Sequence, residues 1–286
     1  MSAPNLSQIA TQLESPSLKD RLLALVALRE VAPDQAVPLI KKVLNDESLQ
    51  IRSMAIFALG LKPTEECFPL LVRLLEGDPD YGIRADAAGA LGYLGDVRAV
   101  EPLIHALYED TDWLVRFSAA VSLGNLRDPR ADAALIQALQ SSETVIQQAA
   151  IAALGEIGAV HALPQILSFA QSEDWLVRQR LAEALGRLPS PQTLAALRHL
   201  CRDTSAQVVT AAVYSLANLL RLQPDTDVAA ELLHLIHSED WQTRLRLLEA
   251  TLALNLPETP TLAKQLAADP NPFVALTATQ ALAESA

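Results

Sequence analysis

The chain has 286 residues, half of them apolar and only 4% aromatic, and its 22 basic and 34 acidic side chains leave a formal net charge of −12. So acidic a chain repels phosphate backbones, which argues against nucleic acid as a partner, and no apolar run approaches the roughly 18 residues of a membrane-crossing helix. Abundant Ala and Leu with only 10 glycines predict an all-helical protein.

One pattern recurs from end to end. The stretch "TDWLVRFSAAVSLGNL" from Thr111 returns as "EDWLVRQRLAEALGRL" from Glu173 and as "EDWQTRLRLLEATLAL" from Glu239. With the Arg of "DWLVR" as anchor, equivalent positions are Arg21, Arg52, Arg84, Arg116, Gln147, Arg178, Val209, Arg244 and Ala275. Successive anchors lie 31 or 32 residues apart, except for 35 between Val209 and Arg244. A period of this size belongs to stacked helical hairpins, because one hairpin cannot bury its apolar face alone. The sequence therefore predicts a right-handed α-solenoid of about nine helical hairpins in a single domain, 1–286, with first helices on the convex side and second helices on the concave side.

In chain order, "LSQIATQL" is the first helix of repeat one. The next first helices include "AVPLIKKVL", "CFPLLVRLL", "AVEPLIHAL" and "HALPQILSF", with Pro38, Pro69, Pro102 and Pro164 expected in the opening turn. Each second helix is expected to begin near a capping position: Ser17, Ser48, Asp80, Asp112, Glu143, Asp174, Ser205, Asp240 and Asn271. Val115, Ala119, Ala120 and Leu123 keep the spacing of one buried face. Gly60, Gly92, Gly124, Gly155 and Gly186 are expected where the chain turns left-handed. An enlarged loop is expected at "RLQPDTD", and "TLAKQLAA" opens the last repeat, whose polar Thr277, Thr279, Gln280 and Glu284 suit a wetted cap.

Repeats reading "DPDYGIRADAAGALGYLGDVRAVEPLIHALYED" resemble HEAT-like repeats of the short phycobilisome-lyase type, and the pattern "VR..AA..ALG.LGD.RAVEPLI.AL.D" runs through the whole chain, best in repeats three to six. The stretches "YEDTDWLVRFSAAVSLGNL" and "SSEDWLVRQRLAEALGRLP" are most similar to members that act in phycobilisome degradation. The resemblance implies a cyanobacterial scaffold whose partners are phycobiliproteins, with a second HEAT-like subunit as a further candidate. It also implies a transient phycobilin ligand if the protein acts as a lyase. The aromatic-rich "YYAAWWLG" run of the lyase E subunit is absent, which counts against bilin attachment.

Residues that carry chemistry are sparse. No phosphate-binding Gly-rich loop, GxSxG elbow, HExxH or His-Glu dipeptide occurs, so no catalytic residue and no resident cofactor or metal is assigned. His234 and His237, three apart, read as a surface pair. Cys67 and Cys201 lie far apart within apolar patterns and read as buried thiols in a reducing compartment. No basic flank with an apolar run opens the chain, so a cytoplasmic location is expected. Asp112 and Arg116, Asp174 and Arg178, and Asp240 and Arg244 stand four apart and are expected to pair within a repeat and with the next, as a stiffening ladder.

Every tryptophan falls at one repeat position, the first residue of a second helix: Trp113, Trp175 and Trp241, with Tyr81 equivalent in repeat three. Leu18, Leu49, Thr144, Ala206 and Pro272 fill that position elsewhere, so the hairpin does not demand an aromatic. Such a ring can cover its own turn, stacked on the Arg three residues on, or anchor an extended partner along an edge. Alternate repeats would set successive rings roughly 20 Å apart. Phe117, Arg180 and Glu183 continue the stripe as candidate partner contacts. Asp86, Phe117 and Tyr214 are candidates for a groove able to hold a helix or a linear tetrapyrrole, although Phe117 and Tyr214 equally suit a core. Beside a phycobiliprotein-binding scaffold, two further readings stay open: a bilin lyase, and a general adaptor such as an iron–sulfur assembly platform.

Overall fold

The structure, a computed structural model, describes residues 5–222, 235–253 and 255–284. It is all-helical: 76% of it is helix, and no strand occurs among the described residues. The first helices are α1 (Leu6–Leu13), α3 (Pro33–Lys41), α5 (Cys67–Gly77), α7 (Val100–Glu109), α9 (Asp132–Ala138), α11 (Leu163–Leu167), α13 (Pro191–Leu200) and α16 (Thr259–Leu266). The second helices are α2 (Leu18–Ala27), α4 (Leu49–Gly60), α6 (Tyr81–Leu94), α8 (Trp113–Leu126), α10 (Thr144–Ile157), α12 (Trp175–Leu185), α14 (Ala206–Leu222), α15 (Trp241–Ala253) and α17 (Pro272–Glu284). Every second helix thus begins one residue after its expected cap. The expected loop at "RLQPDTD" and His234 fall largely or wholly outside the described residues. No described helix is long and apolar enough to cross a membrane.

The chain forms two compact units, Met1–Ala153 and Leu154–Ala286. In the first, α2, α4, α6 and α8 pack in succession, with α5 and α7 laid against α6 and α8. In the second, α12, α14, α15 and α17 follow one another in the same way, with α13 laid against α14 and α16 against α17. This is the solenoid logic of the repeat, in which each hairpin is completed by its neighbours. Leu71, Ile83, Leu91, Leu103 and Leu123 fill the first core, and Val177, Leu181, Leu197, Leu247 and Val274 the second. Each such side chain contributes about 1.5–3 kcal/mol by leaving water.

Two expectations need correction. Pro38 is not in an opening turn, because α3 starts five residues earlier at Pro33 and carries Pro38 in its interior. Nor do Gly60, Gly92, Gly124, Gly155 and Gly186 turn the chain left-handed; that conformation belongs to Gly95, Arg127, Gly158 and Asn255. The five glycines lie on the close contact between successive second helices. A Cβ at Gly60, Gly92, Gly124, Gly155 or Gly186 would come within 2.9 Å of Ala90, Ser122, Ala153, Ala184 or Ser215 respectively. Two of those neighbours also tie the helices together, since the Ser122 and Ser215 hydroxyls donate to the carbonyls of Ala88 (2.8 Å) and Ala182 (2.7 Å).

Candidate protein-binding surface

The position of the rings follows from the way each second helix starts. Asp80, Asp112, Asp174 and Asp240 accept hydrogen bonds from first-turn N–H groups at 2.8–3.2 Å, which holds the cap residue extended. The next side chain then stands at the rim of the inter-helix turn. Tyr81 is 53% exposed, Trp113 48% and Trp175 43%. Among the described residues none of the three is stacked on another ring or on a guanidinium, so the expected stacking on Arg is not what holds them; the single such cation contact described is Arg98 over Phe68, at 4.6 Å. Trp241 differs, being half-buried and stacked on Phe273 of α17 with centroids 6.0 Å apart. It covers the turn of the following repeat.

The anchor arginines brace these turns. Arg84 forks onto Asp110 at 2.8 and 2.9 Å, Arg178 onto Asp203 at 2.6 and 2.8 Å, and Arg244 onto Asp269 at 2.7 and 2.9 Å. Each also donates to a carbonyl six residues upstream, Asp78, Ser172 or Ser238. Arg116 reaches Glu143 at 2.9 Å in the same way. The ladder therefore runs to the next repeat, while Asp112, expected to pair with Arg116 in its own helix, is engaged as a cap. The Arg178 and Arg244 guanidinium hydrogen bonds hold the Asp203 and Asp269 carboxyls below the usual carboxylate range, against a smaller opposing effect of burial.

Solvent faces differ between the units. In the N-terminal unit, Leu23 and Val26 of α2, Phe57 of α4, Tyr93 of α6 and Val121 of α8 are exposed apolar side chains, and Phe57 meets Tyr93 edge-to-face at 5.8 Å. Phe117 is half-buried and Asp86 partly exposed on the same helices. In the C-terminal unit the face is polar. Arg180 binds Glu183 at 2.7 Å, Gln179 donates to the same carboxylate at 2.8 Å, and Arg246 pairs with Glu249. Gln179, Glu183, Arg187, Tyr214, Asn218 and Arg246 line a groove of about 900 Å³ over α12, α14 and α15. Burial there, with the nearby Glu249 charge, pushes the Tyr214 phenol up.

Of the residues expected at a site, Tyr81, Asp86, Trp113 and Phe117 belong to the N-terminal unit, and Trp175, Arg180, Glu183, Tyr214 and Trp241 to the C-terminal one. Glu183 and Tyr214 share the polar groove. Sequence reasoning missed Leu23, Val26, Phe57 and Tyr93. Their signal was available: Val26, Phe57 and Val121 stand five residues after their anchors, at a register position outside the buried set.

A family model described as HEAT repeats matches residues 4–85, 33–124, 68–154 and 133–217. No curated protein matches the chain. Among solved structures, Kap95p in complex with RanGDP aligns with a TM-score of 0.63 at 16% identity, over 99% of this chain and 47% of that one. The chain thus spans about half the length of that relative. The complex of CpcE and CpcF of phycocyanin lyase from Nostoc sp. PCC7120 aligns with a TM-score of 0.55 at 24% identity, over 87% of this chain and 94% of that one. At these identities both are likenesses of fold.

Proposed function

The chain belongs to the HEAT-repeat family, and on that premise we propose that it is a protein-binding scaffold whose exposed helix-start rings engage phycobiliproteins, in chromophore handling or antenna degradation. The observation that carries the reading is the set of large rings, Tyr81, Trp113 and Trp175, standing in solvent at the first position of a second helix. The helices there do not need them, since α10 and α14 open with Thr144 and Ala206. Rigidly mounted Trp and Tyr side chains are the residue types most often found as binding anchors. The choice of a phycobiliprotein is supported by the resemblance of the repeats to the phycobilisome-lyase type and by the fold likeness to the CpcE–CpcF complex. Because that relative is a complex of two chains, a second HEAT-like subunit is part of the proposal.

Retention of phycocyanin on the immobilised chain tests it. Trp113→Ala and Trp175→Ala are each expected to weaken retention roughly tenfold while leaving helical circular dichroism unchanged. Undiminished retention in both variants would remove these rings from the function. Trp241→Ala is not a clean probe, because its ring also packs on Phe273.

A second reading, attachment or detachment of a phycobilin, draws on the polar groove of the C-terminal unit. About 900 Å³ is within the range of small-molecule sites, and its arginines, glutamate and phenol offer partners to propionates and pyrrole nitrogens. Incubation with holo-phycocyanin separates the readings. A shift of the visible absorption favours the lyase, and a static spectrum removes it.

A further inference from the structure

The second helices of the N-terminal unit leave a row of apolar side chains in solvent: Leu23 on α2, Phe57 on α4, Tyr93 on α6 and Val121 on α8, between 39% and 59% exposed. Four helices side by side at 8–10 Å make a strip roughly 25–30 Å long, the length of a helix of roughly 16–20 residues. Proteins seldom expose large apolar side chains on four successive helices unless something docks on them.

α6 interrupts this row in two ways. Gly89 occupies the register position held by Phe57 on α4 and Val121 on α8. It lies mid-helix without a positive φ, and a Cβ built there meets nothing within 4 Å. Neither backbone nor packing asks for glycine, although glycine costs a helix up to ~1 kcal/mol against alanine. The result is a notch between two apolar ridges. One turn before it stands Asp86, whose carboxylate has no hydrogen-bond or ion-pair partner among the described residues. The equivalent positions on α4 and α8 are Met54 and Ser118, neither of which carries a charge to pair with it. A purely apolar partner laid over this strip would strip water from that carboxylate and leave it unpaired, which is strongly unfavourable.

We infer that the solvent face of α2, α4, α6 and α8 docks the apolar side of a partner protein's amphipathic helix that carries one lysine or arginine at its centre, received in the Gly89 notch by Asp86. The edge-to-face pair of Phe57 and Tyr93 adds aromatic surface of the kind that cations favour. This inference rests on the protein-binding reading but not on the partner being a phycobiliprotein, and it uses residues other than Tyr81, Trp113 and Trp175.

The test uses the full chain and three labelled 18-residue amphipathic helical peptides, identical except for lysine, norleucine or glutamate at the centre of the apolar face. By fluorescence anisotropy the lysine peptide is expected to bind at least about fivefold more tightly than the norleucine peptide, and the glutamate peptide more weakly still. Asp86→Asn is expected to erase the lysine preference, and Gly89→Leu to weaken the lysine peptide roughly tenfold with helical circular dichroism retained. Equal affinities for the three peptides, or a lysine preference that survives Asp86→Asn, would overturn the inference. So would a dimer of the wild-type chain in sedimentation that dissociates on Gly89→Leu, which would give the face to a second copy. Loss of phycocyanin binding with the lysine preference intact would remove only the partner proposed above. Retained phycocyanin binding without that preference would remove only this inference.

Discussion

At the scale of single residues, glycine is used in two unlike ways. At Gly124 it makes room: a Cβ would sit 2.8 Å from the Cα of Ala153, a backbone atom that cannot swing aside. Gly124→Ala is therefore expected to destabilise the chain by about 1–3 kcal/mol, read as a lower urea midpoint. Gly89→Ala, with open space around it, is expected to raise the midpoint through helix propensity. The sequence reading assigned the repeated glycines to chain reversal, because a glycine near a helix end has the same appearance whether it serves φ or proximity. Capping was legible because it is local: Asp80, Asp112, Asp174 and Asp240 bond N–H groups two or three residues on. The apolar strip was not. α4, "LQIRSMAIFALG", is apolar around most of its circumference, so spacing alone cannot tell buried Ile56 from exposed Phe57.

At the scale of helices, the unit of construction is a cation on one second helix and an anion at the start of the next repeat's second-helix turn. The Arg178–Asp203 and Arg244–Asp269 forks are largely shielded from solvent, with side-chain exposures of 13% and 9%, and 11% and 4%. Removing one partner strands the other, so Asp203→Asn is expected to cost about 2–4 kcal/mol in chemical denaturation at neutral pH. The acid limb gives a separate test. Both carboxyls are held below their usual range in the folded chain. The stability they supply is complete above the unfolded value near 4 and is lost as pH falls through the lower folded value. Asp203→Asn should therefore make stability less steep below about pH 4, and an unchanged slope would assign the acid sensitivity elsewhere. The helices themselves were legible from caps and period. The ladder's partner was not, because Asp203 lies 25 residues from Arg178 and belongs to the next repeat.

At the scale of the whole chain, packing between second helices runs from repeat to repeat within each of the two units. Such a chain behaves as a row of coupled segments more than as one cooperative body. Scanning calorimetry is expected to give a van't Hoff enthalpy below the calorimetric one; equal values would mean a single transition spanning all repeats. The glycine contacts have a consequence for assembly and divergence. Repeat three both receives Gly60 at Ala90 and offers Gly92 to Ser122, and repeats four, five and six each carry the same small receiver and bare donor. They are tiles with matching edges. A duplicated or exchanged tile meets the same small surface on either side, so the array can be lengthened or reordered there at little steric cost. Its variety is left to the solvent-facing positions, such as Trp113, Gly89 and Val121, where each tile carries a different mark.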